Sequence, residues 1–307
     1  MVNDWPGSGD RGERKVPTKL VYNDDGTLSS WGFICEDDDD GPGSGKTRRE
    51  FFKIFIDQDT LEAARQQGLS SAPQDTAEAR KYLTDYLRQI YAHVEETIET
   101  QLGRRHTGGW RDMAVTFLFS VPTTWTNIAM VNTFKGVVRD AGFGTGGPSH
   151  AALVDLTEAE AASVATLKTS AVSFQKGQVF LTVDAGGGTT DLALMRITST
   201  DAIPPQMAQV SGVRGIGIGS TLIDRAFIRL VAQRLAANPD ALERLPDGLA
   251  TSMARSHHFR TVKHKFGEKV YMQQTFKIPM EGVAFDFNHP GLRVERGRML
   301  FTKRVTR

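Results

Sequence analysis

The residues with the strongest chemical pattern are two aspartates that flank three consecutive glycines. Asp184 ends an apolar segment, Gly186, Gly187 and Gly188 follow, and after two threonines Asp191 opens a second apolar segment. Three successive glycines leave a tight turn without side chains, so backbone N–H groups can line a concavity and face an anion. The pattern therefore predicts a phosphate-binding loop between two strands.

The polar side chains beside the glycines fit a phosphate and a metal ion in different ways. Thr189 can donate its hydroxyl to a phosphate oxygen. Asp184 and Asp191 would repel a phosphate, so we expect them to act through Mg²⁺ and its waters or through an attacking water. The alternative is a plain hairpin with a glycine loop and two solvated acids. The apolar flanks disfavour that alternative, because a solvated hairpin does not need them.

The segments around this loop alternate between strand and helix patterns. Apolar residues recur every three or four positions between residues 76 and 102, which predicts a long amphipathic helix that ends at Gly103. Residues 114–121 and 178–183 are so apolar that we expect buried strands there, the first of them stopped by Pro122. Further strands are predicted at residues 19–22, 28–34, 151–156, 192–197, 207–213, 270–278 and 292–305, and helices at 126–141, 158–168, 220–237 and 249–266. This alternation predicts an α/β fold, and 307 residues favour two lobes.

Composition excludes several classes of protein. The 37 Lys and Arg residues against 36 Asp and Glu residues give a net charge of +1, so no global field argues for a nucleic acid or a membrane surface as partner, and we expect neither. The single cysteine, Cys35, can form neither an internal disulfide nor a thiolate metal site. No apolar stretch approaches the ~20 residues of a membrane span, and the first residues do not have the pattern of a signal peptide, so the expected location is cytoplasmic.

The glycine loop resembles the second phosphate loop of the superfamily that contains actin, hexokinase and the seventy-kilodalton heat-shock proteins. Other segments are similar to motifs of the heat-shock branch, namely its VPA turn, DAG helix end, EPxAA segment, GG-x-x-x-D helix start and adenosine-contacting helix, at residues 120–125, 139–143, 156–162, 215–224 and 258–266. Residues 5–7, 15–18 and 31–32 are similar to its divergent branch in fungal genomes and in vertebrate relatives. The resemblance implies an actin-like (ribonuclease H-like) ATPase fold with mixed sheets, with lobe I in residues 1–176 and lobe II in residues 177–307.

The resemblance also implies roles for the residues that match. Residues 186–189 would hold the β- and γ-phosphates of ATP or ADP, while Asp184 and Asp191 would order Mg²⁺ through water. Glu158 would be the carboxylate near the attacking water. The alternative for Glu158 is a charge at the start of a helix that the helix dipole favours.

Three further residues are implied to face the nucleotide. Gly217 and Gly219 would allow close packing at a helix start and approach a phosphate, although a plain loop-to-helix turn explains them nearly as well. Lys263 would lie along the adenosine, or else is a solvated helix lysine. The implied function is an ATP-binding, weakly ATP-hydrolysing domain of the heat-shock chaperone type, with co-chaperones or client proteins as partners.

The sequence departs from the family pattern in ways that leave other functions open. The family has a phosphate loop in each half, whereas this sequence has the one at residues 184–191, and residues 23–26 have the composition of a hairpin turn. Arg260 and His264 stand where an acid and an arginine are usual. We therefore expect an incomplete fold that is truncated at both ends, with an exposed sheet edge and apolar surface. A degenerate scaffold or binding protein that does not hydrolyse ATP is the alternative, and a sugar or small-acid kinase is disfavoured by residues 121–122 and 158–162.

Three other patterns carry less weight. Residues 41–47 look like a P-loop, but that motif needs a glycine at Asp40 and a buried strand before it. His257, His258 and His264 have no carboxylate or cysteine at metal-ligand spacing. The basic residues of 293–307 alternate with apolar ones, which favours the exposed face of a strand over a nucleic-acid site.

Overall fold

The predicted alternation of strands and helices is present in the computed structural model, which describes residues 2–9, 12–38, 43–66, 72–102, 108–123, 125, 127–169, 172–201, 205–212, 214–216, 218–268 and 275–302. The strands are β1 Lys19–Asn23, β2 Leu28–Trp31, β3 Lys46–Glu50, β4 Val115–Val121, β5 His150–Thr157, β6 Val179–Ala185, β7 Thr190–Ser199, β8 Gln206–Gln209, β9 Arg214–Ile216, β10 Phe276–Pro279, β11 Val294–Glu295 and β12 Arg298–Phe301. The helices are α1 Gln58–Gln66, α2 Thr76–Leu102, α3 Gly109–Asp112, α4 Ile128–Asp140, α5 Glu158–Thr169, α6 Thr221–Ala236, α7 Pro239–Leu242, α8 Leu249–Arg255 and α9 His257–Lys265. Short 3-10 turns lie at Ile34–Glu36 and Ile54–Ile56. The α/β class is confirmed.

Internal contacts divide the chain into two compact units. Unit 1 contains Met1–Asp184 and Thr190–Ile216, and unit 2 contains Ala185–Thr189 and Gly217–Arg307. This division differs from the lobe boundary expected after residue 176, because strands β6 to β9 fall with unit 1. The boundary between lobes therefore stays a prediction.

The main core of unit 1 forms where the long helix α2 packs against the aromatic residues around β1 to β3. Tyr82 and Tyr86 of α2 lie against Phe52, with ring centroids 6.3 and 5.7 Å apart. Trp5 belongs to the same buried cluster and packs edge-on against Trp31. Trp5 therefore anchors the start of the described chain to unit 1, because this large ring packs in an apolar site.

The position of strand β3 is incompatible with a P-loop at residues 41–47. Lys46–Glu50 pairs antiparallel with β1, so Lys46 and Thr47 are strand residues rather than the start of a helix. Lys46 also forms an ion pair with Asp38, while residues 39–42 lie outside the described part of the chain.

The two predicted buried strands are each exposed on one face, so the expectation of full burial is wrong. In the parallel pair β4–β5, Phe119 packs on Phe134 of α4, whereas Leu118 on the other face is 60% exposed. In β6, the side chain of Val183 is 56% exposed. Val179 and Leu181 lie on the same face of the strand and are exposed to a similar degree. Burial depends on a covering layer, and in the described part of the chain these faces have none. These strand faces therefore present apolar side chains on the surface of the described part of the chain.

Strands β6 to β9 form one sheet with α5 on one face. The sheet runs in the order β6-β7-β8, with β9 also paired to β7. Ala159 of α5 is buried together with Ala193 and Met195 of β7. The Ser163 hydroxyl of α5 lies 2.6 Å from that of Thr182 on β6, which ties the helix to the strand that leads into the glycine loop.

Unit 2 has its own core beneath α6, α8 and α9 and the sheet β10-β12-β11. Phe227 of α6 stacks on Phe259 of α9 with centroids 4.1 Å apart. The single helix expected at residues 249–266 is wrong, because Ser256 is extended and accepts a hydrogen bond from the Phe259 N–H, which starts a new helix. The single strand expected at residues 292–305 is likewise a hairpin, since Arg296 and Gly297 both have positive φ.

Among the described residues, no helix combines the length and the apolar character that a membrane crossing requires.

Candidate functional site

The glycine loop is closed by a regular antiparallel pair of strands, β6 and β7. The Gly186 N–H donates to the Thr189 carbonyl at 2.9 Å, and at the far end the Ile197 N–H donates to the Gln178 carbonyl at 2.9 Å. Both hydrogen bonds belong to the same register, in which Asp184 stands directly opposite Asp191. Side chains of directly opposite residues point to the same face of a sheet. The structure therefore brings the two predicted carboxylates together.

This carboxylate pair has the charge that suits a cation. Asp191 is only 2% exposed and Asp184 is partly buried. Like charges directly opposite each other destabilise a strand pair by about 0.2–1 kcal/mol. A sequence that places two acids here, beside a loop with no side chains, fits a site that is selected for binding a positive charge.

The start of helix α6 holds the glycine loop within unit 2. The N–H groups of Ser220 and Thr221 donate to the carbonyls of Gly186 and Gly187, each at 3.0 Å. The Thr221 hydroxyl donates to the same Gly187 carbonyl at 2.9 Å. Since α6 begins here, its first N–H groups have no partner within the helix, and the loop carbonyls supply one. We call these three hydrogen bonds the α6 clamp.

Gly219 makes the α6 clamp possible. A Cβ atom on Gly219 would lie 2.2 Å from the Gly187 carbonyl oxygen and 2.7 Å from the Gly188 carbonyl carbon. No side chain fits in that space, so the helix start can approach the loop only with glycine at this position. Contact of Gly219 with a phosphate stays a prediction, and Gly217 lies outside the described residues.

The α6 clamp also fixes the direction of two amide groups in the loop. In a trans peptide the C=O and the following N–H point to opposite sides. The carbonyls of Gly186 and Gly187 point to α6, so the N–H groups of Gly187 and Gly188 point away from it. Neither N–H donates to a backbone carbonyl in the described part of the chain. Two adjacent donors turned outward from a side-chain-free loop are suited to an anion such as a phosphate.

Glu158 is positioned by a capping box at the start of α5. Thr157 precedes the helix, its hydroxyl oxygen accepts from the Glu160 N–H at 3.2 Å, and the Glu160 carboxylate accepts from the Thr157 N–H at 2.9 Å. This reciprocal pair holds the first turn, in which Glu158 is the first residue. The Glu158 carboxylate forms an ion pair with Lys53.

Lys53 is a candidate functional residue that sequence reasoning did not identify. It lies 105 positions before Glu158, and only the fold of unit 1 brings the two charges together. The sequence signal that could have identified it is that Lys53 is the single charged residue in the apolar segment 51–56. A cation at this carboxylate restrains the orientation of Glu158.

Loss of the capping box should cost stability and loosen Glu158. Thr157→Ala removes the side-chain acceptor of the helix cap, so we expect the free energy of unfolding to fall by about 0.5–2 kcal/mol. Chemical denaturation measures this loss. The matched control is Thr166→Ala in the same helix, whose exposed hydroxyl only bonds back to the Ala162 carbonyl and should cost less than about 0.5 kcal/mol. Equal losses in the two variants would contradict the role of the cap.

Lys263 is held by Asp224 in unit 2. Its ammonium lies 2.8 Å from the Asp224 carboxylate, and its side chain is mostly buried. Asp224 lies in the first turn of α6, where the helix dipole favours an acid. Lys263 is therefore not the freely solvated lysine of the alternative reading, and its contact with adenosine stays a prediction.

The described residues fit magnesium only as an ion that is shared with phosphate and water. They contain no group of three or more His, Cys, Asp or Glu side chains that could hold a metal ion. Glu158, Asp184 and Asp191 thus form no complete protein cage. Mg²⁺ is commonly held by one or two carboxylates together with waters and substrate phosphates. The facing pair Asp184 and Asp191 fits that mode.

Comparisons with known proteins find similarity among solved structures. No protein-family model matches the chain, and no curated protein matches it. Among solved structures, the chain is similar to the crystal structure of MreB 5 of Spiroplasma citri bound to AMPPNP, with 16% sequence identity and a TM-score of 0.44. The match covers 86% of this chain and 60% of that chain, so this chain spans less than two thirds of the other's length.

Proposed function

We propose that this chain is an actin-like nucleotide-binding domain of the heat-shock chaperone type, which binds ATP or ADP and hydrolyses ATP weakly in the cytoplasm. The observation that carries the proposal is the outward direction of the Gly187 and Gly188 amides, which the α6 clamp imposes on the loop. The segments similar to heat-shock motifs support the chaperone branch, and co-chaperones or client proteins are its proposed partners.

Each residue of the proposed site has one task. The Gly187 and Gly188 amides and the Thr189 hydroxyl bind the phosphates, and Lys263, held by Asp224, lies along the adenosine. Asp184 and Asp191 would hold Mg²⁺ through water. When bound, the ion supplies the positive charge that phosphoryl transfer requires. Glu158, fixed by Lys53 and the capping box, orients the attacking water and can accept its proton.

The proposal predicts that Mg·ATP stabilises the purified chain. A ligand at 100 times its dissociation constant adds about 2.7 kcal/mol to the native state. With an unfolding entropy of ~2.1 cal/mol/K per residue, we expect the melting temperature of this 307-residue chain to rise by about 4 °C. Differential scanning calorimetry with Mg·ATP, Mg·ADP, Mg·AMP and Mg²⁺ alone measures this rise.

The four ligands separate the possible outcomes. Because the loop is proposed to bind the β- and γ-phosphates, ATP should raise the melting temperature most and AMP least. Equal rises with AMP and ATP would place binding outside the glycine loop. A cooperative melt that no nucleotide changes would overturn nucleotide binding and favour the degenerate scaffold.

A further inference from the structure

Strand β6 lies at the edge of its sheet. Among the described strands it pairs with β7 alone. The hydrogen bonds with β7 keep one register, from Gln178 opposite Ile197 to Gly186 opposite Thr189. In an antiparallel pair every second residue exchanges hydrogen bonds with the neighbouring strand. The even-numbered residues of β6 therefore face β7, and the backbone groups of the odd-numbered residues point away from it.

The outward-pointing residues of β6 are Val179, Leu181 and Val183. In the described part of the chain, their N–H and C=O groups make no backbone hydrogen bond to a turn, a loop or another element. Their side chains lie on one face of the strand and are 47%, 56% and 56% exposed. A row of unpaired backbone groups beside exposed apolar side chains is a template for a further strand.

The composition of β6 differs from that of a protected edge. Natural proteins usually place charged side chains on an edge strand, which keeps other strands away. Strand β3, at the edge of another sheet of unit 1, follows this rule, since four of its five residues are charged. Residues 179–183 of β6 have no charged side chain. The strand therefore has the composition of one that is paired on both sides.

We infer that β6 pairs antiparallel with β6 of a second copy of this chain, about a two-fold axis at Leu181. Leu181 then lies opposite Leu181 of the second copy, and Val179 lies opposite Val183 of that copy. In this register each outward N–H meets a carbonyl, as the hydrogen-bonded pairs of an antiparallel ladder require. A contact of this kind uses the same surface on both copies.

Self-complementarity favours a second copy of the chain as the partner of β6. The exposed positions read Val-Leu-Val in both directions, so the two-fold axis places apolar side chains opposite apolar side chains on one face. No charge meets a like charge within residues 179–183. So short an edge is smaller than the interface of about 1,000 Å² that a stable complex buries, so we expect a reversible dimer. The pairing involves none of the residues proposed to bind nucleotide, so it does not depend on the proposed function.

The test uses opposite charges at the two-fold axis. Sedimentation velocity of the full chain from about 1 μM to about 1 mM should show a monomer–dimer equilibrium. Leu181→Lys and Leu181→Glu each place like charges opposite each other, so each should raise the dissociation constant of the dimer at least about tenfold. An equimolar mixture of the two variants should dimerise again, because lysine then faces glutamate. The matched control is Leu118→Lys on β4, which changes a 60% exposed leucine in the same way and should dimerise as wild type does.

Several results would overturn the pairing. Wild type that stays monomeric at about 1 mM excludes a dimer of useful affinity, and capture of a synthetic β6 peptide by that monomer would assign the edge to a different strand. An equal loss of association in Leu118→Lys would show general apolar contact. A mixture of the two Leu181 variants that stays monomeric would contradict the two-fold register. If Leu181→Lys does not melt cooperatively, Val179→Lys mixed with Val183→Glu decides in the same way, because those two positions also face each other.

Discussion

Gly219→Ala should reduce the Mg·ATP-dependent rise in melting temperature by about half or more. The added Cβ would lie 2.2 Å from the Gly187 carbonyl oxygen, so either the loop or the start of α6 must move. Such overpacking costs about 1–3 kcal/mol. The movement breaks the α6 clamp and releases the Gly187 and Gly188 amides from their outward direction. We expect nucleotide affinity to fall at least about tenfold, since one lost hydrogen-bond donor pair corresponds to 1.4 kcal/mol or more.

Gly136→Ala is the matched control for this substitution. Gly136 lies inside α4, and a Cβ there would meet no atom within 4 Å. Replacing a glycine inside a helix with alanine stabilises it by about 0.5–1 kcal/mol. Gly136→Ala should therefore keep the full response to Mg·ATP. The α6 clamp has no role in binding if Gly219→Ala melts cooperatively and still responds to Mg·ATP as wild type does.

Asp184→Asn should lower ATP turnover by about 10–100-fold and leave the fold intact or more stable. The substitution removes one of two facing negative charges, so the protein without nucleotide should gain about 0.2–1 kcal/mol. The same change removes a carboxylate that is proposed to hold Mg²⁺ through water. Stability and activity should therefore change in opposite directions, as is common where a site is built at the expense of stability.

Steady-state turnover and calorimetry without nucleotide measure the two effects of Asp184→Asn. The control is Asp155→Asn on β5, which removes an exposed carboxylate that lies 3.7 Å from Lys135. Asp155→Asn should leave ATP turnover unchanged. It should change the free energy of unfolding by no more than about 0.5 kcal/mol. Unchanged turnover in Asp184→Asn would contradict the metal role, and a large loss of stability would contradict the unfavourable pairing of Asp184 with Asp191.

Local patterns in the sequence were enough to locate the main elements. Helix α2 has the predicted bounds, 76 and 102, because its apolar period and the glycine after it are both local signals. The glycine loop and its two aspartates were also recognised from their order alone. The break at Ser256 was missed, because the helical pattern on both sides conceals a residue that caps the second helix.

The sequence by itself determined the α/β class, the position of the loop and the identity of the carboxylates beside it, because these depend on neighbouring residues. Tertiary structure alone decided that Glu158 pairs with Lys53, 105 positions away, and that Thr221 holds Gly187 from 34 positions away. It also decided that Leu118 and Val183 are exposed, although their strands are apolar. Pairing and burial depend on which distant segment packs against a residue, and no local pattern encodes that.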